Sequence, residues 1–225
     1  MELSDSTLTI LKNFSGINQN IMVREGNTLK TMSEARNIMA SADVTESFPQ
    51  AFGVYDLNEF ISVLDLVDKP QLNFNEGYVV VGDTAGRSKV KYFFSPEETL
   101  TSPSKDIKMP AAEVTFELTT DTLTKLKRAA SALGHSDVSI TGKNGVLNFA
   151  VVDNANSTSN TYSIDVDGTF DAEKSFNFIM GISNLKIVPG DYDVSISSKL
   201  ISHFQHKKLN VQYWIALEKS STFGA

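Results

Sequence analysis

The sequence predicts an α+β protein built from two similar domains. The chain has 225 residues, a length that suits two domains of about 100 to 120 residues each. Each half contains several short strand-like segments and two amphipathic helical segments, and parts of the first half recur in the second. We therefore expect helices packed on one side of an antiparallel sheet in each domain.

The first half is predicted to hold two helices among its strands. The first helix covers 4–14, where Ser4 or Ser6 can cap the free N–H groups and an apolar stripe runs along one side. The second helix begins at Asp56 and ends before Pro70. The predicted strands are 21–24, 28–32, 78–81 and 89–94.

A linker separates the halves. Residues 95–110 contain three prolines, several Ser and Thr residues and few apolar side chains, a composition typical of a connecting segment. We place the N-terminal domain at 1–108 and the C-terminal domain at 109–225.

The second half repeats the pattern, with helices predicted over 121–133 and 174–187. Asn144 and Gly145 lie between two strand-like runs, an arrangement that favours a type I′ hairpin turn. The segment from Ser202 to Lys208 has the composition of a solvated hairpin loop. The predicted strands are 114–118, 138–141, 146–152, 162–166, 192–196 and 209–217.

Two short matches indicate that the halves are duplicates. Thr7–Lys12 matches Thr122–Lys127 at an offset of 115 residues, and 57–66 matches 176–185 at an offset of 119. Each match would align two predicted helices. Since both offsets are close to one domain length, a gene duplication is the simplest interpretation.

The composition excludes several classes of protein. The chain has no cysteine, so it has no disulfide, thiolate metal site or cysteine nucleophile. We recognise neither a signal peptide nor an apolar run of about 18 residues, and we expect a cytoplasmic protein without a membrane span. The net charge of −7 argues against a generally basic nucleic-acid binder.

No pattern of catalytic residues emerges. The sequence lacks the glycine-rich phosphate motifs, the nucleophile elbow and the metalloprotease motif. His203 and His206 are three residues apart with no carboxylate nearby, which favours positions in a solvated loop over a metal pair. We therefore expect neither an enzyme nor a bound metal or cofactor.

Cations gather on one side of the helix predicted over 121–133. Arg128 lies opposite the apolar side, with Lys125 beside it and Lys127 on a flank. The first helix repeats this arrangement more weakly through Lys12, and Asp5 opposes it. Such a face is either an ordinary solvated surface or a local phosphate-binding surface in an acidic protein.

The order of several motifs resembles the sliding clamps of T-even-type bacteriophages over nearly the whole chain. The similar segments are Ile10–Phe14 with Ile17, Asn18, Ile21 and Met22; Tyr55–Asn58 with Phe60 and 64–67; Phe176–Ile179 with Asn184, Lys186, Pro189, Gly190 and Tyr192; and Tyr213, 216–218, Ser221 and Thr222.

This resemblance implies the DNA clamp fold and a homotrimeric ring, with helices lining a hole for duplex DNA and sheets outside. The contacts it implies are sequence-independent, because they reach only phosphate. Lys12, Arg128 and Lys186 fall on basic positions of the family, and Lys125 and Lys127 add charge. Asp5 and Ser131 stand where better-known members carry cations, so the inner charge is redistributed here.

The resemblance also implies partners. An ATP-dependent clamp loader would open the ring, and the phage DNA polymerase and late-transcription factors would dock short peptides near the linker. We assign Ile107, Met109 and Tyr213 to that pocket, since such peptides insert apolar anchors. Phe93 and Phe94 stand at the expected subunit interface. Because adjacent strand residues face opposite sides, at most one of them belongs there.

Two other classes of protein fit parts of the sequence. Duplicated β-rich domains also build structural virion proteins, but these have no need for a cationic helix face. A metal-dependent enzyme would require a cluster of ligands, and the sequence contains none that we recognise.

We predict that charge reversal at Lys125, Lys127 and Arg128 together weakens DNA retention and loading while assembly stays intact, because the variant repels phosphate where the native helix attracts it. Processivity assays and light scattering measure the two properties. Unchanged processivity in the triple variant would refute a DNA-binding role for this face.

Overall fold

The computed structural model describes residues 1–103, 105–143, 145–156 and 158–224. The chain divides into two compact units. Unit 1 comprises Met1–Asp106 with Leu209–Val211, and unit 2 comprises Ile107–Lys208 with Gln212–Ala225. The division after Asp106 lies inside the predicted linker.

The described residues of unit 1 form two helices and seven strands. In chain order they are α1 (Asp5–Ser15), β1 (Ile21–Val23), β2 (Gly26–Met32), β3 (Ile38–Phe48), β4 (Phe52–Val54), α2 (Leu57–Asp65), β5 (Gln71–Asn75), β6 (Tyr78–Gly82) and β7 (Lys89–Phe93), followed by a 3₁₀ turn at Glu97–Thr99. All strand pairs are antiparallel: β1 with β4, β2 with β3, and β5–β6–β7 in that order.

In unit 2 the part of the chain that the structure describes forms one helix and nine strands. In chain order they are β8 (Val114–Leu118), α3 (Thr120–Leu133), β9 (Asp137–Lys143), β10 (Val146–Val152), β11 (Tyr162–Phe170), β12 (Phe176–Gly181), a 3₁₀ turn (Ile182–Asn184), β13 (Tyr192–Ser197), β14 (Ile201–His206), β15 (Val211–Ala216) and β16 (Thr222–Phe223). The strand order is β16-β12-β9-β10-β11-β8-β13-β14-β15.

The helices form where the sequence predicts amphipathic segments with caps. α2 begins after Asp56, whose carboxylate accepts the N–H of Glu59 at 3.0 Å. Its buried side packs into unit 1, and burial of each such side chain contributes roughly 1.5–3 kcal/mol. The buried residues of α2 are Leu57, Phe60, Ile61 and Leu64, and those of α1 are Thr7, Ile10, Leu11 and Phe14.

The predicted helix over 174–187 is wrong. Phe176–Gly181 forms strand β12 between β9 and β16, and a 3₁₀ turn follows it. Five of its six residues are buried, so both sides of the strand are covered and no alternation of polar residues marks it. The pattern of a short apolar run fits a helix and a buried strand equally well. Here the segment forms a strand because it pairs with a neighbour on each edge.

This correction removes one of the two repeat matches. The match of 57–66 with 176–185 aligns α2 with β12 and therefore does not relate equivalent elements. The other match holds in detail. The hydroxyls of Ser4 and Thr119 accept the N–H of Thr7 and Thr122, at 3.3 and 3.2 Å, so α1 and α3 begin in the same way.

The segment predicted as a loop after Ser202 is also ordered differently. His203 and His206 lie in β14, and the turn follows them. The His203 ring packs 5.1 Å from that of Trp214, while His206 is buried beside Tyr192. β9 and β10 form the predicted hairpin, with Gly145 at φ 78°. Asn144 lies outside the described residues.

No helix among the described residues is long and apolar enough to cross a membrane.

We predict that Gly190→Ala destabilises unit 2 by about 2–4 kcal/mol, the combined cost of backbone strain and overpacking. Gly190 has φ 157°, and a Cβ there would lie 2.1 Å from Nε2 of the buried His206. Urea denaturation measures the change.

Gly134→Ala is the matched control in the same unit. Gly134 has φ 70°, but nothing lies within 4 Å of its added Cβ, so about 1 kcal/mol is expected. An equal drop in stability in the two variants would contradict the steric argument.

Candidate nucleic-acid interface

The cations predicted on one helix face all lie on α3. Thr119 caps the start of this helix, and Gly134 ends it in the left-handed conformation. Its buried side consists of Leu123, Leu126 and Ala130. Because that side is fixed in unit 2, the helical period turns the remaining residues to solvent, and Lys125, Lys127 and Arg128 are exposed.

Lys125 forms an ion pair within α3. Its Nζ lies 2.6 Å from a carboxylate oxygen of Asp121, one helical turn earlier. The hydrogen bond to Asp121 raises the pKa of Lys125. Since both side chains are exposed, the pair is weak, and a phosphate can readily exchange for the carboxylate.

Lys127 is held differently. Its Nζ donates a hydrogen bond to the backbone carbonyl of Leu185 at 2.8 Å. Partial burial of the ammonium lowers the pKa of Lys127, although the side chain as a whole counts as exposed. The ammonium therefore has a structural role within unit 2, which the sequence did not reveal.

Arg128 is the cation of α3 with the most available head group. It is exposed, and it makes no hydrogen bond or ion pair with the part of the chain that the structure describes. A guanidinium carries several donors in a fixed fork and suits phosphate well. Arg128 can therefore contact a nucleic-acid backbone without breaking an existing pair.

The expectation that Lys186 lies on an inner helix is wrong. The segment before it is strand β12 and a 3₁₀ turn, and Lys186 itself is exposed in irregular backbone. The bond from Lys127 to the carbonyl of Leu185 nevertheless holds this segment against α3. Lys186 thus joins the neighbourhood of the α3 cations through tertiary structure and not through a helical position.

α1 presents a smaller cationic contribution. Lys12 is exposed in its last turn and pairs with no carboxylate among the described residues. Asp5 is exposed in the first turn. α1 therefore offers one cation and one carboxylate to solvent.

α2 departs from the predicted pattern of basic helices. Its sequence contains no Lys or Arg, and its exposed side carries Glu59 and Asp65 together with Asn58 and Ser62. This acidic side was not predicted, although the residues opposite the apolar stripe indicate it in the sequence. α2 packs beside α1 in unit 1.

The three residues assigned to a peptide pocket have different environments. Ile107 and Met109 are half-buried in the irregular segment before β8. Tyr213 is fully buried, and its hydroxyl accepts the N–H of Val188 at 3.1 Å. Burial raises the pKa of Tyr213. Tyr213 belongs to the core of unit 2, and burial leaves none of its side chain exposed for the peptide contact that we predicted.

Phe93 and Phe94 face opposite sides, as adjacent residues in extended backbone must. Phe94 packs 5.0 Å from the ring of Phe52. Phe93 is 65% exposed at the end of β7, which is an edge strand of its sheet. The ring of Tyr78 lies 5.8 Å away from that of Phe93. Of the two, Phe93 is the one available for an intermolecular contact.

No group of three or more His, Cys, Asp or Glu side chains within the described ranges is placed to hold a metal ion.

Two family models match the chain in succession. The model described as DNA polymerase processivity factor matches residues 4–92, and the model described as gp45 sliding clamp, C terminal, matches residues 115–219. Together they cover most of both units.

Curated relatives match over the full length. The sliding clamp of Vibrio phage KVP40 is 35% identical over 224 residues, which cover 97% of this chain and 99% of the relative. The sliding clamps of Escherichia phage RB69 and Enterobacteria phage T4 are each 32% identical over 230 residues, which cover 99% of both chains.

Solved structures share the fold at low sequence identity. The PCNA2-PCNA3 complex of Sulfolobus tokodaii matches with a TM-score of 0.65 and 14% identity, over 97% of this chain and 98% of the other. Proliferating Cellular Nuclear Antigen of Entamoeba histolytica matches with a TM-score of 0.68 and 12% identity, over 94% of each chain. The expected clamp fold is thereby confirmed.

We predict that Lys127 releases its proton at a lower pH than Lys125, because burial lowers the first pKa and Asp121 raises the second. Titration of ¹³Cε-labelled lysines by NMR, with assignment by Lys→Arg substitution, measures both. Between the folded and unfolded pKa of Lys127 the unfolded chain binds more protons, so this residue makes stability rise with pH. A Lys127 pKa equal to or above that of Lys125 would contradict the structure.

Proposed function

We propose that three copies of this chain, which belongs to the DNA sliding-clamp family, close into a ring around duplex DNA and tether a DNA polymerase. Members of this family are processivity factors and not enzymes. The chain would work as a topological scaffold that keeps the polymerase on its template during replication in the infected bacterial host.

The exposed cations of α3 are the observation that carries the proposed contact with DNA. The chain has a net charge of −7, yet Lys125 and Arg128 share the solvent side of one helix, and Lys127 lies on its flank. Cations on the surface that faces DNA attract the phosphates of the duplex. The acidic rest of the protein repels DNA and so discourages binding at other surfaces. Contacts of this kind read no base sequence and permit movement along the duplex.

The exposed end of β7 supports a contact between copies. An edge strand presents unpaired backbone groups, and Phe93 adds an exposed aromatic side chain. Nζ of Lys91 lies 3.7 Å from the ring centre of Tyr78 and 4.8 Å from that of Phe93, which orders the three side chains. We assign Phe93 to the interface with a second copy of the chain.

The finer partner assignments are part of the proposal. An ATP-dependent clamp loader would open the ring, and late-transcription factors would share the polymerase site. Ile107 and Met109 are half-buried apolar side chains in the linker region and suit an anchor contact with the C-terminal peptide of the polymerase. The virion-protein alternative gains no support from the family.

The first test is the mass of the protein by light scattering over a concentration series. We expect a species of three chains that dissociates on dilution. Phe93→Glu places a charge in the proposed interface and should shift the midpoint of dissociation to at least about tenfold higher concentration.

Leu66→Glu is the matched control for that test. Leu66 is 71% exposed at the end of α2, so it introduces the same charge at an exposed apolar position elsewhere. We expect its mass distribution to follow the wild type.

A monomer at high concentration in the wild type would remove the physical basis for encircling DNA.

The second test concerns the polymerase peptide. Combined Ile107→Ala and Met109→Ala should weaken binding of a synthetic peptide of the polymerase C-terminus by about tenfold or more, since apolar anchors dominate such contacts. Isothermal titration calorimetry measures the affinity. An unchanged affinity for the peptide would contradict the assignment of Ile107 and Met109 to the peptide pocket.

A further inference from the structure

The exposed helix surfaces of the two units differ in charge. α1 and α2 of unit 1 together carry one cation, Lys12, and three carboxylates. α3 of unit 2 carries three cations and one carboxylate. All of these residues are exposed. The carboxylates of the unit 1 helices are Asp5, Glu59 and Asp65.

The helix surfaces of the two units also differ in the ion pairs that their charged residues form. Among the described residues, no cation forms an ion pair with Asp5, Glu59 or Asp65. In α3 the single carboxylate, Asp121, is already paired with Lys125. The unit 1 helices therefore expose more carboxylates than cations, while α3 exposes more cations than carboxylates.

We propose that the duplex is bound by α3 of each copy and is repelled by the α1–α2 surface, so that the ring contacts DNA at three places and not at six. This inference rests on the proposed function, because it requires the helices to line the hole. Phosphate is attracted to Arg128 and Lys125 and is repelled by Glu59 and Asp65. Screening limits each effect to about 8–10 Å at physiological salt.

The structure of each helix supports this division of roles. Arg128 makes no bond within the described ranges, and Lys125 has only an exposed ion pair, so both can turn to phosphate. In α2 the solvent side offers amide and hydroxyl groups between its carboxylates. α1 and α3 begin with the same cap, yet α3 exposes three cations and α1 exposes one.

Proximity to DNA can be measured directly, because the chain has no cysteine of its own. Ser62→Cys on α2 and Ser131→Cys on α3 change matched exposed serines, and each can carry the same thiol-linked photo-cross-linker. The labelled ring is loaded on nicked circular duplex DNA and irradiated. We expect at least about fivefold more cross-linking from position 131 than from position 62, because like charge excludes phosphate from α2.

Equal or greater cross-linking from position 62 would overturn the three-site arrangement while leaving the ring function intact. Failure of both labelled proteins and of the wild type to remain on circular DNA would instead overturn the proposed function. The two failures are therefore distinguishable in one experiment.

Charge variants test the energetic side of the inference. Lys125→Gln with Arg128→Gln should shorten retention on nicked circular DNA and reduce the slope of its salt dependence by about 0.9 for each phosphate that is no longer neutralised. Glu59→Gln with Asp65→Asn should lengthen retention, since it removes repulsion. Lys127 is left unchanged because it binds the carbonyl of Leu185.

Glu59→Gln and Asp65→Asn are isosteric, and Lys125→Gln and Arg128→Gln shorten exposed side chains, so both double variants should show the wild-type mass and circular dichroism. A retention time that falls equally in the two variants would contradict the inference, because it would mean that the acidic side of α2 assists binding. A rise in the α2 variant with a fall in the α3 variant is the expected outcome.

Discussion

Burial of one side of each helix against the rest of its unit is the constraint on which the other features depend. Leu123, Leu126 and Ala130 fix the rotation of α3, and the helical period then places Lys125 and Arg128 in solvent. The same constraint turns the acidic side of α2 outward. The charges that α2 and α3 expose are thus decided largely by the packing of apolar side chains.

This arrangement is compatible with the binding of DNA, a polyanion, by an acidic chain. Electrostatic attraction acts over about a Debye length, so the local surface matters more than the total charge of −7. In the proposed function α3 supplies that local surface, and the ammonium of Lys127 holds the carbonyl of Leu185 beside it. Repulsion elsewhere keeps contacts few, which suits a protein that must move along DNA while staying linked to it.

The sequence predicted the helices and most strands well where local signals were strong. The cap at Ser4, the helix start predicted at Asp56 and the apolar stripes mark α1, α2 and α3 closely, whereas the cap at Thr119 was not predicted. Segment 174–187 failed because β12 is buried on both sides, so its strand character arises from pairing with β9 and β16. Because this predicted helix is wrong, the placement of Lys186 on a helix and one of the two repeat matches are wrong as well.

By itself the sequence determined the α+β class, the duplication seen in α1 and α3, and the opposite facing of Phe93 and Phe94, since all three follow from local periodicity and capping. Only the tertiary structure decided that Tyr213 lies in a core, that Lys127 is bound to Leu185, and that Lys186 comes near α3. Those facts depend on which distant segments pack together. Local sequence patterns carry no record of such partners, because the same short pattern is compatible with many of them.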